Sequence, residues 1–265
     1  MSEVRDIKLG TVLFSIAEPK PGFEKEYNRW YERDHFFAGC MVGANFFSGR
    51  RWVATKPLKA SRFPVKTPIT PDIHKGSFLH TYWILDGAYA ETLRWSVEQV
   101  QRLYKQKRME PPRENISTAF YRYEGGVFRD DDGVPPELAL EHPYSGVAVT
   151  MIDRAEKTAA GDFETWLKGT WLPHFMAKSP IAQTLILRPQ MLPDDAPANV
   201  PRPSADEYTR RYLLLSFLEE DPAISWATRF SGFDRALAES GLGNVIYAAP
   251  FIPTVPGTDK YVDQL

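Results

Sequence analysis

The sequence predicts an α+β fold of two tandem βαββαβ repeats, at 1–128 and 144–265, whose antiparallel sheets pack face to face around a shared interior. Three observations predict it. One order of strand and helix patterns runs twice along the 265 residues. A long Pro-rich connection falls between the second and third strands of each repeat, at Pro57–Pro71 and again at Pro193–Pro203. Several strands also carry apolar side chains on both faces, so the sheet face that helices leave bare must be buried by something else.

In the first repeat, residues 8–18 (KLGTVLFSIAE) are β-rich and give way to Pro19 and Pro21. Residues 22–38 set Phe23, Tyr27, Trp30 and Tyr31 at the spacing of a helical stripe. Residues 44–54 (ANFFSGRRWVA) read as a strand, and the stretch holding Pro57, Pro64, Pro68 and Pro71 as irregular chain. Residues 78–86 (FLHTYWILD) form the third strand, 88–107 an amphipathic helix and 118–128 the fourth strand. The segment 129–143 (RDDDGVPPELALEHP) has the acid, Gly and Pro content of a linker. The second repeat follows as strand 145–154, helix 161–177, strand 182–192, the second Pro-rich connection, strand 210–220, helix 222–239 and strand 243–252. Pro173 marks where the 161–177 helix should kink or end. A C-terminal extension remains, suited to covering a barrel edge or pairing with a second copy as a homodimer.

Composition narrows the function. With 32 Lys+Arg against 34 Asp+Glu the net charge is −2, which gives the chain no electrostatic reason to seek nucleic acid or an anionic membrane. The single cysteine, Cys40, excludes an internal disulfide framework and a Cys-rich metal site, and it has no evident activating neighbour. No apolar run approaches the roughly 20 residues that span a bilayer, and MSEVRDIKLG does not read as a leader, so a soluble cytoplasmic protein is expected. No HExxH, CxxC, P-loop, GxSxG or GxGxxG pattern is present, and no metal or nucleotide cofactor is expected.

A βαββαβ unit is the ferredoxin-like split βαβ, with both helices on one face of a four-stranded antiparallel sheet. Here Phe14, Phe46, Phe47, Trp52, Tyr82, Trp83, Tyr121 and Tyr123 make several strands apolar on both sides. The economical partner for the second face is the other repeat's sheet, which encloses a barrel cavity; two separate domains on a linker are the alternative. The segment 23–54 (FEKEYNRWYERDHFFAGCMVGANFFSGRRWVA) resembles the dimeric α/β-barrel superfamily, in particular its EthD-like members, through Tyr27, Trp30, Tyr31, Asp34, His35, Arg50, Arg51 and Trp52. The resemblance implies a fused, dimeric-type α/β barrel with the pseudo-dimer inside one polypeptide. That superfamily holds cofactor-free monooxygenases, cyclases, isomerases, haem enzymes and proteins without assigned activity. Haem is therefore an alternative to a cofactor-free site, since a lone axial histidine leaves no motif.

With 100° per residue and Phe23 at zero, Asp34 falls at about 20°, inside the aromatic stripe, and His35 at about 120°, on its edge. A carboxylate on a buried stripe needs a partner or a raised pKa, and Arg50 or Arg51, which point to opposite sheet faces, can supply one. Otherwise Asp34 is partly solvated and His35 complements the helix dipole. Aligning Phe23 with Phe163 sets Asp34 opposite His174, His35 opposite Phe175 and Tyr31 opposite Trp171, which favours one asymmetric site. His174 is then an acid–base candidate or a hydrogen-bonded core histidine. Strand alternation places His80 and Tyr82 on one face, either as a relay pair lining the cavity or packed beneath a helix. His74 and His142 read as solvated.

The expected function is cofactor-independent proton transfer on a small aromatic or polyketide-like molecule, of isomerase, cyclase or lyase type. His35, oriented by Asp34, would move the proton, with His80 and His174 as further acid–base candidates. Arg50 and Tyr31 would hold a substrate oxygen, and Trp30, Trp52, Tyr82 and Trp171 would line the site. The alternatives are cofactor-free oxygenation of a phenol and a non-catalytic ligand-binding or assembly protein.

Overall fold

A computed structural model of the chain describes residues 6–192, 204–230 and 232–265. The first repeat supplies β1 (Leu9–Pro19), α1 (Glu24–Trp30), β2 (Phe46–Val53), α2 (Lys56–Ala60), β3 (Phe78–Leu85), α3 (Tyr89–Lys105) and β4 (Arg113–Phe128). The second supplies β5 (Gly146–Arg154), α4 (Ala160–Trp166), α5 (Leu172–Met176), β6 (Ile181–Pro189), α6 (Ala205–Arg210), β7 (Arg211–Leu218), α7 (Pro222–Arg229), α8 (Phe233–Ser240) and β8 (Gly243–Pro253). The eight antiparallel strands close into one barrel in the order β1-β3-β2-β8-β5-β7-β6-β4. Each half has the order of a ferredoxin-like unit, and the halves meet edge to edge as well as across the interior. One seam is long, Tyr121 to Phe128 against Pro189 to Gln183. The other is two residue pairs, Trp52 with Pro253 and Val53 with Ile252.

Several boundaries differ from the sequence expectation, each for a local reason. The helix at 22–38 leaves α geometry after Trp30 and continues as two π-helical segments, Tyr31–His35 and Phe37–Met41. The helix at 161–177 does the same at Leu167–Trp171, and Pro173 sits in the first turn of α5. There the π segment passes directly into α5, and the proline marks the change of helical type rather than a break. The helix at 222–239 is two helices: the first is capped by Phe230, and Gly232, in a left-handed conformation (φ 79°), caps the start of the second. The first Pro-rich stretch is not wholly irregular, since α2 begins there with Pro57 in its first turn. Pro193, Pro197, Pro201 and Pro203 lie outside the described residues.

The barrel interior is core rather than cavity at its centre. Phe14, Trp52, Leu79, Trp83, Leu215, Phe217 and Phe251 are each no more than 1% exposed and belong to one cluster. Three segments tie the repeats together. The linker closes one barrel end: Trp83 Nε1 donates to the Pro136 carbonyl (2.8 Å), Ser48 to Glu141 (2.8 Å), and Arg50 to the Leu140 carbonyl (3.0 Å) and that of His142. The first Pro-rich connection crosses at the other end onto β8, where Phe63 pairs with Ala248 and Thr67 donates to the Ile246 carbonyl. The C-terminal stretch lies along α1 of its own chain, with Asn28 donating to the Thr258 carbonyl (2.9 Å) and Arg29 paired with Asp259 (2.6 Å). No helix among the described residues is long and apolar enough to cross a membrane.

Candidate functional site

The π turns decide which side chains enter the layer between α1 and the sheet. A π segment closes i→i+5 hydrogen bonds and so rotates less per residue than an α-helix. Each residue after Tyr31 therefore lags behind its α-helical angle. His35 falls back onto the buried line of Tyr27 and Tyr31, and Asp34 falls to the margin beside Trp30. Trp30 and His35 stack at 4.6 Å and 17°.

The same turns fix how the repeats correspond. α1 and α4 have equal length and run into π segments that begin at Tyr31 and Leu167. Tyr27 thus matches Phe163, Trp30 matches Trp166 and His35 matches Trp171. The side chains agree: Trp166 and Trp171 stack at 5.2 Å and 16°, as Trp30 and His35 do, and Phe163 covers Tyr212 as Tyr27 covers Phe78. The Phe23–Phe163 alignment is therefore one helical turn out of register. His174 corresponds to Ala38, not Asp34.

On the helix-covered face of the first sheet a polar row crosses four strands. Arg51 of β2 lies opposite His80 of β3, His80 opposite Ser15 of β1, and Ser15 opposite Thr118 of β4. The corresponding row of the second repeat is Ile186, Leu214, Thr150 and Ala248. Above the sheet, Tyr27, Tyr31, His35 and Cys40 are matched by Phe163, Leu167, Trp171 and Met176. The first repeat is the polar one: Ile186 and Leu214 stand where it has Arg51 and His80, and Thr150 alone of the second row keeps a hydroxyl, in the place of Ser15. Two glycines make room for the rings of the polar one: a Cβ at Gly49 would lie 2.7 Å from Tyr82, and one at Gly39 would lie 2.8 Å from His35.

His80 is fully buried, and Tyr31 stacks on it at 3.7 Å and 11°. Neither of its ring nitrogens has a hydrogen-bond partner, and neither does His35 Nδ1 nor the Tyr27 hydroxyl. The Ser15 backbone lies beside His80 but outside hydrogen-bond geometry. The Tyr82 hydroxyl donates to that of Tyr31 (3.0 Å). Arg51 lies 5.2 Å from the Tyr31 ring centre and donates from Nη2 to Asn28 (2.9 Å), and its Nη1 is 3.6 Å from Glu32. Its Nε has no partner. The row opens to solvent at its far end, where the Ser15 and Thr118 hydroxyls share an exposed hydrogen bond (2.8 Å).

Burial dominates the electrostatics. It lowers the His35 pKa to about 4, helped by the Arg113 and Arg108 charges and opposed by Asp34. Burial, then the Arg51 charge, holds His80 well below the usual histidine range. Burial raises Tyr31 and Tyr82 well above the ordinary phenol and pushes the Cys40 thiol up to about 12, leaving it unreactive. Both histidines are thus neutral at neutral pH. A folded-state pKa below the unfolded value means that the unfolded chain takes up protons first as pH falls. Stability is whole above about pH 6.5 and is lost down toward the folded pKa. Urea unfolding should show a loss of about 2 kcal/mol from His35 between pH 7 and pH 5, with His80 adding in the same direction. A flat profile across that window would contradict neutral burial.

Of the residues expected in the site, Trp30, Tyr31, His35, His80 and Tyr82 lie together, but beneath α1 rather than in the barrel. Asp34 does not orient His35; it is ion-paired with Arg108, because the π turn carries it to the helix margin. Arg50 points into the barrel, over Trp52 at 4.6 Å and into the linker carbonyls, so Arg51 is the arginine on the site's face. Trp52 belongs to the barrel core. His174 is exposed on α5, since α4, α5 and the π segment between them bury Phe163, Leu167, Leu172 and Met176 instead. Trp171 stacks within the second repeat. Ser15 and Thr118 escaped the sequence reading because only strand register brings them abreast of His80, and Asn28 because only the packing of α1 on the sheet brings it to Arg51.

A cavity of about 210 Å³ lies at a barrel end, lined by Ile69, Ser117, Tyr121, Glu207 and Arg211 among others. It is below the ~300 Å³ of small-molecule sites, and Arg211 there is paired with Asp153 and Glu207. The two histidines of the site have no room for a haem beside them. His80 is covered by Tyr31, and His35 is wedged between Trp30 and Gly39. Elsewhere His74 Nδ1 faces the Lys59 carbonyl, His142 packs on Tyr144, and His174 is exposed.

No protein-family model matches the sequence, and no curated protein does. Solved structures match the fold. An anthrone oxidase-like protein is 10% identical, with a TM-score of 0.56 over 94% of this chain and 92% of its own. A chlorite dismutase-type protein is 11% identical, with a TM-score of 0.54 over 97% and 100%. The encapsulated DyP-type peroxidase of Mycobacterium smegmatis is 12% identical, with a TM-score of 0.51 over 93% and 94%. At such identity the likeness carries the architecture alone. The chain has the dimeric α/β-barrel fold, with both ferredoxin-like units in one polypeptide.

Proposed function

We propose that the chain is an acid–base enzyme whose working site is the layer between α1 and the first sheet, entered from the Ser15–Thr118 end. The observation that carries this reading is the asymmetry: the arginine, the histidine and their unpartnered nitrogens occur in one repeat only, at positions the other repeat fills with Ile186 and Leu214. Leaving a buried polar atom unpaired costs about 1–3 kcal/mol, and Ile186 and Leu214 show that the fold does not need the arginine or the histidine. A neutral imidazole accepts a proton from a phenol or an enolisable ring ketone. The buried Arg51 charge stabilises the resulting oxyanion, and the Tyr31–Tyr82 hydroxyl pair offers it a hydrogen bond. The substrate class is a small, flat, oxygen-bearing aromatic, with isomerisation, cyclisation or elimination as the outcome.

A second reading shares the first step. The deprotonated ring passes its electrons to dioxygen, one oxygen atom entering the ring and the other leaving as water. The fold neighbour described as anthrone oxidase-like supports keeping it. Both are tested by mixing the protein with anthrone and with 2-naphthol, under air and under argon, and following anion absorbance, products and oxygen uptake. Turnover under argon supports proton-transfer chemistry, and turnover only under air supports oxygenation. Saturable binding without turnover makes the chain a ligand-binding protein. No binding of either probe sinks the site.

A further inference from the structure

The structure assigns Asn28 as the positioning residue for Arg51, and the C-terminal segment of the second repeat as what holds Asn28 and Glu32 in place. The inference rests on the reading of the first repeat's helix–sheet layer as the working site. Asn28 is 3% exposed and uses both ends of its amide. Its Oδ1 accepts from Arg51 Nη2 (2.9 Å), while its Nδ2 donates to the Thr258 carbonyl (2.9 Å) and lies 3.5 Å from Asp259. Glu32, beside Arg51 Nη1, accepts the Gly257 N–H (3.2 Å). Asp259 in turn takes a two-pronged bond from Arg29 on the same helix, and the Thr254 N–H binds the Arg51 carbonyl (3.2 Å).

These contacts give Nη2 a hydrogen bond, set Nη1 3.6 Å from the Glu32 carboxylate and leave Nε without a partner. They also hold the cation over Tyr31. An arginine on a flexible stem gains direction from such a clamp, in which a neutral amide takes the hydrogen bond and the Glu32 carboxylate stands at 3.6 Å. Residues 254–259 follow β8, so the first repeat's site is completed by chain from the second. The fused order of the repeats guarantees that supply.

The test reads Arg51 directly and the probe separately. In 15N-labelled protein, the Arg51 Nε–H signal is assigned by its loss in Arg51→Lys, and its solvent exchange is measured. Exchange should quicken at least tenfold in Asn28→Ala, in Asp259→Ala and in a chain ending at Pro253. Unchanged exchange in Asn28→Ala and in the shortened chain overturns the inference. Asn28→Asp keeps an acceptor for Arg51 but adds a charge, so the Nε–H should stay protected while the pH midpoint for 2-naphtholate binding rises by about one unit. A midpoint that stays put in that variant, with binding intact, also overturns it. If exchange responds as expected while the unaltered protein never binds 2-naphthol, the positioning of Arg51 stands and the working-site reading falls.

Discussion

Replacing His80 with phenylalanine should lower turnover of the aromatic probes by at least about 100-fold, the usual worth of a general base, and should at the same time stabilise the fold. The two effects have one cause. His80 lies in an aromatic stack with Tyr31 at 3.7 Å, Phe78 at 6.5 Å and Tyr27 at 6.2 Å, and neither nitrogen finds a partner. Phenylalanine keeps the stack and removes the unpaired nitrogens, which is worth about 1–3 kcal/mol at neutral pH. Below pH 6.5 the gain should grow, because the variant no longer has a histidine that charges only on unfolding. Urea unfolding at pH 7.5 and pH 5, beside turnover of anthrone, checks both halves. A variant that is less stable and equally active would show that His80 is ordinary core. Increased stability with lost activity is the signature of a site retained at the expense of the fold.

Arg62→Ala should be the most damaging single change away from the site, lowering stability by about 3–5 kcal/mol and the unfolding midpoint by about 10 °C. Arg62 is 4% exposed. It donates to the Ile73 (3.2 Å), Lys75 (2.7 Å) and Gly76 (2.7 Å) carbonyls and lies 5.1 Å over the Phe251 ring of the other repeat. Truncation leaves three carbonyls without their donor and opens a void against β8, and the two losses add. Arg62→Lys tests the geometry, since an ammonium cannot reach three carbonyls with a planar fork and should recover only part of the loss. Calorimetry on both variants decides it. A loss below about 1 kcal/mol in Arg62→Ala would mean that the first Pro-rich connection is held by its other contacts, among them the Trp226 bond to the Ser61 carbonyl (2.9 Å).

Much of this was legible in the residues, and the places where it was not share a physical origin. Alternating and helical apolar patterns report local burial, so strands such as FLHTYWIL and the helix at 88–107 fell where the structure has them. The repeat was legible as an order of elements. Its register was not, because the Phe23–Phe163 alignment presumed a regular α-helix and the π turns shift side-chain phase without any mark in composition. That single departure moved Asp34 from the buried stripe to the helix margin, His35 from the edge of the stripe onto it, and His174 to the surface. Arg50 and Arg51 were seen to face opposite ways, yet alternation cannot say which face belongs to the barrel.

What the sequence determined by itself was the architecture: two ferredoxin-like units in one chain, with sheets apolar on both faces that pack around a shared interior. This follows from patterns a few residues long, which fix local structure and the direction of burial. The tertiary structure alone decided where the chemistry lies. Arg51, His80, Ser15 and Thr118 come from four strands spread over a hundred residues, and only hydrogen-bonded register sets them in a row. The centre of the barrel, expected to be hollow, is filled by Trp52, Trp83 and Phe217. The polar groups gather instead beneath α1, where pairing between distant strands, invisible to any local pattern, places them.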